Sequence, residues 1–172
     1  TLFDLEMTTL RVDKLSLTFG YIFLLATLLG VIYQLHVKGW VEQVATLIYA
    51  GSAIGAAFAG DLVALFLFWE GTAIASVFLI WAVRTPEAMA VGQRYVFVQI
   101  TSGMLLLAGT MIHYRQTGSL AFDSFDVNTL AGLLIFLSFG IKAAFPLLHS
   151  WLTDAYPEAT ITGTIFLSIS RR

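Results

Sequence analysis

Two residues of opposite charge lie in the middle of apolar segments, where a charged side chain is costly. Glu70 lies near the centre of DLVALFLFWEGTAIASVFLIW, and Lys142 lies in FGIKAAFPLLHSW. On membrane-insertion scales a central Lys, Arg or Asp costs roughly 2.5–3.5 kcal/mol, whereas each Leu, Ile, Phe or Val contributes about −0.3 to −0.6 kcal/mol. The apolar residues of the Glu70 run outweigh one carboxyl group, so insertion is permitted. Each charge still needs a partner or water inside the membrane.

The pair has the properties that a proton relay requires. Removal from water disfavours the charged form of a carboxyl group and of an ammonium group alike. Glu70 and Lys142 are therefore both expected to exchange protons nearer to neutral pH than they would in water. The alternative is a structural ion pair, because buried pairs are also retained without a catalytic role.

Pro146 follows Lys142 by four residues. A helical N–H bonds to the carbonyl four residues earlier and proline has no N–H, so the sequence predicts an unpaired carbonyl at Lys142 and a broken helix. Proline alone is weak evidence, because membrane helices tolerate it. In transporters, however, broken helices place free carbonyls around a wet site. The combination with a central lysine favours ion movement.

Three further polar residues are weaker candidates. His149, beyond the break, is either a proton carrier between the centre and the surface or an interfacial hydrogen-bonding residue. Asp61 is expected to be the N-cap of the third span rather than a site residue. Arg94 stays protonated, so it would set an electric field rather than carry a proton.

The surrounding elements are predicted to be membrane-spanning helices. The chain of 172 residues is 58% hydrophobic and 12% charged, whereas soluble proteins carry roughly 25% charged residues. Five runs are long enough to cross about 30 Å of hydrocarbon, and a sixth is too short. The predicted spans are 15–35, 41–59, 62–83, 90–114 and 129–151, with a partial span at 159–170. We expect an all-α, polytopic transmembrane bundle forming a single domain over 1–172, and a fragment of a longer protein.

Composition also excludes several functions. The absence of cysteine excludes disulfides, thiolate-bound zinc and iron–sulfur clusters within this sequence, and a net charge of −2 without a basic block argues against nucleic-acid binding. The sequence carries no nucleotide-binding motif, metal-ligand cluster or nucleophile arrangement. No cofactor and no metal are therefore expected, nor is an independent enzyme.

The stretches DLVALFLFWE and FGIKAAFPLLHSWLTDAYPEAT resemble the antiporter-like membrane subunits shared by respiratory complex I, Mrp-type Na⁺/H⁺ antiporters and membrane-bound hydrogenases. The likeness covers roughly residues 11–170. The ending DAYPEATITGTIFLS is more similar to the Mrp-type antiporter proteins than to their complex I counterparts.

The resemblance implies a fold of about fourteen helices built from two inverted five-helix repeats, with this chain covering most of the first repeat. By position, Glu70 matches the family's glutamate, Lys142 its lysine in the discontinuous helix, and His149 a histidine that often follows the break. It also implies proton transport, with Na⁺ or K⁺ as candidate exchanged ions, other membrane subunits as partners, and the inner membrane of a bacterial or archaeal cell.

The sequence departs from the family at two positions. Relatives usually have proline where this chain has Thr153, and many have lysine where it has Arg94, which puts a titrating role for Arg94 in doubt. The leading hypothesis is an Mrp-type cation/H⁺ antiporter subunit. The alternatives are a proton-pumping subunit of an NADH:quinone oxidoreductase or hydrogenase, a non-conducting scaffold subunit, and a self-contained carrier.

Overall fold

The computed structural model describes residues 7–37, 39–122, 125–146, 148–160 and 163–164. Within these ranges the chain forms six α-helices and no strand. The helices are α1 (Lys14–Gln34), α2 (Trp40–Ala57), α3 (Leu62–Trp81), α4 (Pro86–Thr117), α5 (Leu130–Lys142) and α6 (Ser150–Glu158). The all-helical architecture predicted from the sequence is confirmed.

Three of these helices, α1, α3 and α4, are long and apolar enough to cross a membrane. Helix α2 has 18 residues and carries Glu42 in its first turn. Helix α5 has 13 residues, which corresponds to about 20 Å at 1.5 Å per residue, so it cannot cross 30 Å of hydrocarbon alone. The predicted span 129–151 is thus divided into α5 and α6. The predicted partial span 159–170 lies mostly outside the described residues.

The break after α5 is a Schellman motif. The N–H of Phe145 donates to the carbonyl of Gly140 at 2.9 Å, and the N–H of Ala144 donates to that of Ile141 at 3.2 Å. Ala144 adopts a φ of 54°, the left-handed conformation that usually selects glycine at this position. Pro146 follows directly and cannot resume the helix. The chain therefore leaves the helix before it reaches the proline, which reinforces the stop rather than creating it.

The helices pack largely in chain order: α1 on α2, α2 on α3, α3 on α4, and α4 on both α5 and α6. Close approach depends on small residues, as at Gly109 of α4, where any Cβ would press on Ile135 and on the carbonyl of Ala131 in α5. Helix α1 is the least buried candidate span. A hydrogen bond of 3.0 Å from Gln34 to Thr46 connects α1 to α2.

Helix α6 is tied to the end of α5 by a tryptophan. Trp151 is 5% exposed, and its ring lies edge-on to Tyr95 of α4 with the ring centroids 5.6 Å apart. Its indole N–H donates to the carbonyl of Ile141 at 3.1 Å, a second hydrogen bond to the carbonyl that also accepts from the N–H of Ala144. Trp151 therefore fixes the position of the last turn of α5, which carries Lys142.

Candidate functional site

Lys142 is the last residue of α5, and its side chain reaches α3. The side chain is buried, with the residue 8% exposed. Its Nζ donates to the backbone carbonyl of Trp69 at 3.3 Å and lies 5.2 Å from the centroid of the Trp69 ring. A ring face attracts a cation, and the negative end of the α5 dipole adds to that attraction. Three separate features therefore stabilise a charged ammonium group here.

Glu70, next to Trp69 along α3, has fewer stabilising contacts than Lys142. It is half-buried and lies close enough to Lys142 for electrostatic attraction. Its Oε1 is buried and has no hydrogen-bond partner among the described residues. The carboxyl group rests against Gly103 of α4, where a Cβ would overlap Oε1. Glycine at 103 is thus required for the carboxyl group to lie between α3 and α4.

Two cavities open on adjacent faces of α3. One, of about 320 Å³, lies between α1, α2, α3 and α5 and is lined by Lys142, Trp69 and Thr72, together with apolar residues and Tyr49. The other, of about 200 Å³, lies between α3 and α4 and is lined by Glu70 and Gln99 within apolar walls. The two charged groups thus face different spaces, although they belong to neighbouring parts of the bundle.

Hydrogen bonds connect the Lys142 contact to α4. The Trp69 carbonyl that accepts from Lys142 also accepts from the Thr72 hydroxyl at 2.7 Å. The hydroxyl of Ser76 donates to the Thr72 carbonyl at 2.6 Å and shares a hydrogen bond of 2.7 Å with the Tyr95 hydroxyl. Backbone carbonyls accept from the Thr72 and Ser76 hydroxyls, and the Ser76 and Tyr95 hydroxyls bond to each other, so these buried polar groups are satisfied.

A second connection joins α4 directly to α5. The Ser102 hydroxyl donates to the Ser138 carbonyl at 3.0 Å, and the Ser138 hydroxyl donates to the Ser102 carbonyl at 2.7 Å. Both serines are fully buried. Ser102 precedes Gly103, which touches Glu70, and Ser138 lies one turn before Lys142. This reciprocal serine pair therefore links the surroundings of the two charges.

The other predicted site residues lie elsewhere. His149 is exposed at the N-cap position of α6, and Pro146 is exposed in the turn before it. Arg94 is exposed on α4 and forms an ion pair of 3.8 Å with Asp154 of α6. Neither His149 nor Arg94 is among the residues that line the cavities of Glu70 and Lys142.

Asp61 is the buried N-cap of α3. Its carboxylate accepts from the N–H of Ala64 and from that of Thr8, both at 2.7 Å. Through the second bond it also holds the segment before α1 against the bundle. These contacts give Asp61 a structural role at the start of the helix that carries Glu70.

Sequence reasoning missed Gln99, Trp69 and Gly103 as members of the site. Gln99 was recognisable as an amide inside an apolar span, where an unpaired polar group is expensive. The contributions of Trp69 and Gly103 depend on helix packing, which the sequence does not give. Among the described residues no group of three or more acidic or histidine side chains could hold a metal.

The fold and the site define an integral membrane protein with a buried lysine at a helix break and a carboxyl group beside it. Residues 59–171 match the family model described as NADH:quinone oxidoreductase/Mrp antiporter, transmembrane, and the chain belongs to this family. It is 29% identical over 188 residues to hydrogenase-4 component B of Escherichia coli, a match that covers 96% of this chain and 27% of that protein.

Solved structures share the fold. Respiratory complex I from Thermus thermophilus contains a chain that superposes with a TM-score of 0.83 at 20% identity, over 97% of this chain and 40% of the other. The Mrp complex from Dietzia sp. gives a TM-score of 0.82 at 24% identity, over 92% of this chain and 32% of the other. The chain thus spans well under half the length of these relatives.

Proposed function

We propose that this chain forms part of a proton-translocating, antiporter-like subunit of a multisubunit membrane complex. The observation that carries the proposal is the placement of Lys142 at the end of a half-length helix, with Glu70 beside it and a cavity in front of it. An amine in such a cavity can take up a proton and release it. Family membership supports the same interpretation.

In this proposal Glu70 controls how strongly Lys142 holds its proton. A carboxylate near the ammonium group favours the protonated lysine, and its neutralisation or withdrawal favours release. The proton then leaves along the segment beyond Pro146, where His149 is a candidate carrier towards the surface. The relay needs two side chains that exchange protons, and it also needs water molecules in the cavity.

We propose cation/H⁺ exchange of the Mrp type as the first form of this activity. It is supported by the likeness of DAYPEATITGTIFLS to the Mrp-type antiporter proteins. The second candidate is a proton-pumping subunit of a redox complex. That candidate is favoured by the match to hydrogenase-4 component B, which covers nearly the whole chain. The partners would be membrane subunits in either case.

The test uses inverted vesicles that carry the complete complex, with a pH-sensitive dye inside. After acidification, a pulse of Na⁺ or K⁺ should dissipate the gradient in the wild type, and Lys142→Ala should slow that response at least tenfold. Lys14→Ala, which removes an exposed lysine at the start of α1, is the matched control and should leave the response unchanged.

The outcomes separate the candidates. If no cation affects the gradient but a redox substrate drives proton uptake that Lys142→Ala abolishes, the redox pump replaces the exchanger. If Lys142→Ala transports like the wild type under both conditions, the lysine carries no proton. The charged pair would then be purely structural, as expected for a scaffold subunit.

A further inference from the structure

We propose that Gln99 positions Glu70 for proton exchange, and that water in the cavity between α3 and α4 completes the hydrogen bonds between the two side chains. This inference rests on the proposed proton transport and adds to it a place where the proton reaches Glu70. It concerns the α4 side of the carboxyl group, whereas Lys142 lies towards α5.

Gln99 is a buried amide without hydrogen bonds to the described residues. It is 1% exposed, and neither Oε1 nor Nε2 has a hydrogen-bond partner among the residues that the structure describes. A glutamine amide offers two donors and an acceptor, and buried polar groups are almost always satisfied. A fully buried amide with both ends unpaired among these residues therefore indicates a hydrogen-bonding partner beyond them, and water is the simplest one.

The second observation is the placement of Gln99 relative to Glu70. Gln99 and Gly103 lie one turn apart on the same face of α4, and Gly103 touches Glu70 Oε1. Gln99 and Glu70 both line the cavity of about 200 Å³. The side chains that carry the unsatisfied Oε1 of Glu70 and the two unsatisfied atoms of Gln99 thus line one space.

This space has room for water, and rotation of the Gln99 or Glu70 side chain brings its covered polar atoms into contact with that water. A buried water molecule needs room and two to four polar partners, whereas cavities without polar groups stay dry. The cavity has room for more than one water, and three unsatisfied polar atoms belong to the side chains that line it. Bridging water satisfies such groups nearly as well as a direct hydrogen bond does.

The chemistry of an amide suits a carboxyl group that changes its protonation state. A carboxylate accepts hydrogen bonds only, whereas a carboxylic acid also donates one. Gln99 can donate through Nε2 to the carboxylate and accept through Oε1 from the acid, directly or through water. The proton passes between water and Glu70, and Gln99 itself gains and loses none. The hydrogen bonds can therefore be exchanged without movement of α3 or α4.

The first experiment measures proton flux in vesicles that carry the complete complex. Gln99→Leu keeps the side-chain size but removes the amide, and it should lower the flux roughly tenfold. Gln99→Asn keeps the amide and is one methylene shorter, a gap that water can fill, so it should retain most of the flux. Gln93→Leu, at an exposed position six residues earlier on α4, should behave like the wild type.

The second experiment observes the carboxyl group itself. Infrared difference spectra of the purified complex between acid and alkaline pH should contain a carboxylic acid band that Glu70→Gln removes. Loss of its hydrogen bonds in Gln99→Leu should move this band to higher wavenumber, and Gln99→Asn should move it less. A merely structural Gln99 would leave the band in place.

The inference is overturned if Gln99→Leu transports within twofold of the wild type, or if Gln99→Asn is as slow as Gln99→Leu in a fully assembled complex. An unshifted Glu70 band in Gln99→Leu overturns it as well. These results differ from failure of the proposed function, in which Lys142→Ala and Glu70→Gln would themselves leave the flux unchanged.

Discussion

The charged groups of Lys142 and Glu70 lie on two adjacent faces of α3 and have different surroundings there. On one face, Lys142 meets a carbonyl, an aromatic ring and the negative end of its own helix. On the other face, Glu70 has a buried oxygen without a hydrogen bond among the described residues and a glycine instead of a side chain next to it. Two opposite charges near each other thus differ greatly in the number of fixed contacts that stabilise them.

The difference indicates which of the two groups depends on the other. Lys142 keeps several stabilising contacts when the carboxylate is neutralised, whereas Glu70 has Lys142 as its nearest compensating charge. A group with few fixed contacts changes its state at a small cost, and a group with many contacts holds its place. Glu70 is therefore suited to be the member whose charge and position vary, and Lys142 the member whose position is fixed while its hold on the proton follows Glu70.

The largest expected effect is an asymmetry between the two single substitutions. Lys142→Met leaves a half-buried carboxylate without its counter-charge, and we expect it to lower the free energy of unfolding by about 2 kcal/mol. Glu70→Gln leaves Lys142 with its other contacts and should cost less than about 1 kcal/mol. Unfolding of the purified full-length subunit in mixed detergent, followed by tryptophan fluorescence, measures both.

The double variant completes this cycle. With both charges removed, no carboxylate is left uncompensated, so Glu70→Gln/Lys142→Met should be more stable than Lys142→Met alone. Equal costs for the two single substitutions would contradict the asymmetry between the two faces of α3.

A smaller effect is expected from the glycine beside Glu70. Gly103→Ala would place a methyl group where the Glu70 carboxyl lies, so the carboxyl must move away from α4. We expect a decrease of proton flux of roughly fivefold to tenfold, with little loss of assembly, because the end of the Glu70 side chain can rotate.

Gly51→Ala is the matched control for this substitution. Gly51 lies within α2, and apart from its chain neighbours and the nearby backbone of its own helix no atom lies within 4 Å of the position of an added Cβ. It should stabilise the subunit by about 0.5–1 kcal/mol through helix propensity and leave the flux unchanged. If Gly103→Ala also left the flux unchanged, the position of the Glu70 carboxyl would not matter for transport.

The smallest expected effect concerns the end of α5, the helix that carries Lys142. Ala144 adopts the left-handed conformation at the end of α5, which costs a residue with a Cβ roughly 1–2 kcal/mol. Ala144→Gly should therefore stabilise the subunit by about 1 kcal/mol. The same substitution at Ala143, whose φ is −80°, should be neutral or slightly destabilising. Thermal unfolding of the purified subunit compares the two, and a destabilised Ala144→Gly variant would contradict the assigned helix stop.

The sequence predicted the helical membrane architecture because apolar length alone determines which segments can span a bilayer. It also singled out Glu70 and Lys142, since a charge in the centre of an apolar run is rare enough to stand out. Their proximity in the structure follows from the packing of both α3 and α5 on α4, which a single sequence does not encode in any local pattern.

The remaining features could not be predicted for physical reasons. The end of α5 is set by a left-handed alanine, and alanine is the strongest helix former, so local propensity favours continuation and only Pro146 indicates a break. The role of Gln99 depends on which face of α4 meets α3. The exposed ion pair of Arg94 with Asp154 depends on how α6 packs on α4, and the field effect expected of Arg94 stays a prediction.

The reciprocal pair of Ser102 and Ser138 has a mechanical consequence. Two buried hydrogen bonds, made in opposite directions, resist sliding of α5 along α4. If the distance between the two charges changes during turnover, the change belongs to the side chain of Lys142 or Glu70 rather than to the helix carrying the lysine. Rotation of one side chain moves only a few atoms, whereas helix displacement moves a whole element and takes microseconds or longer. The charge movement then requires no helix displacement, and the rate of turnover depends on the delivery and removal of the protons.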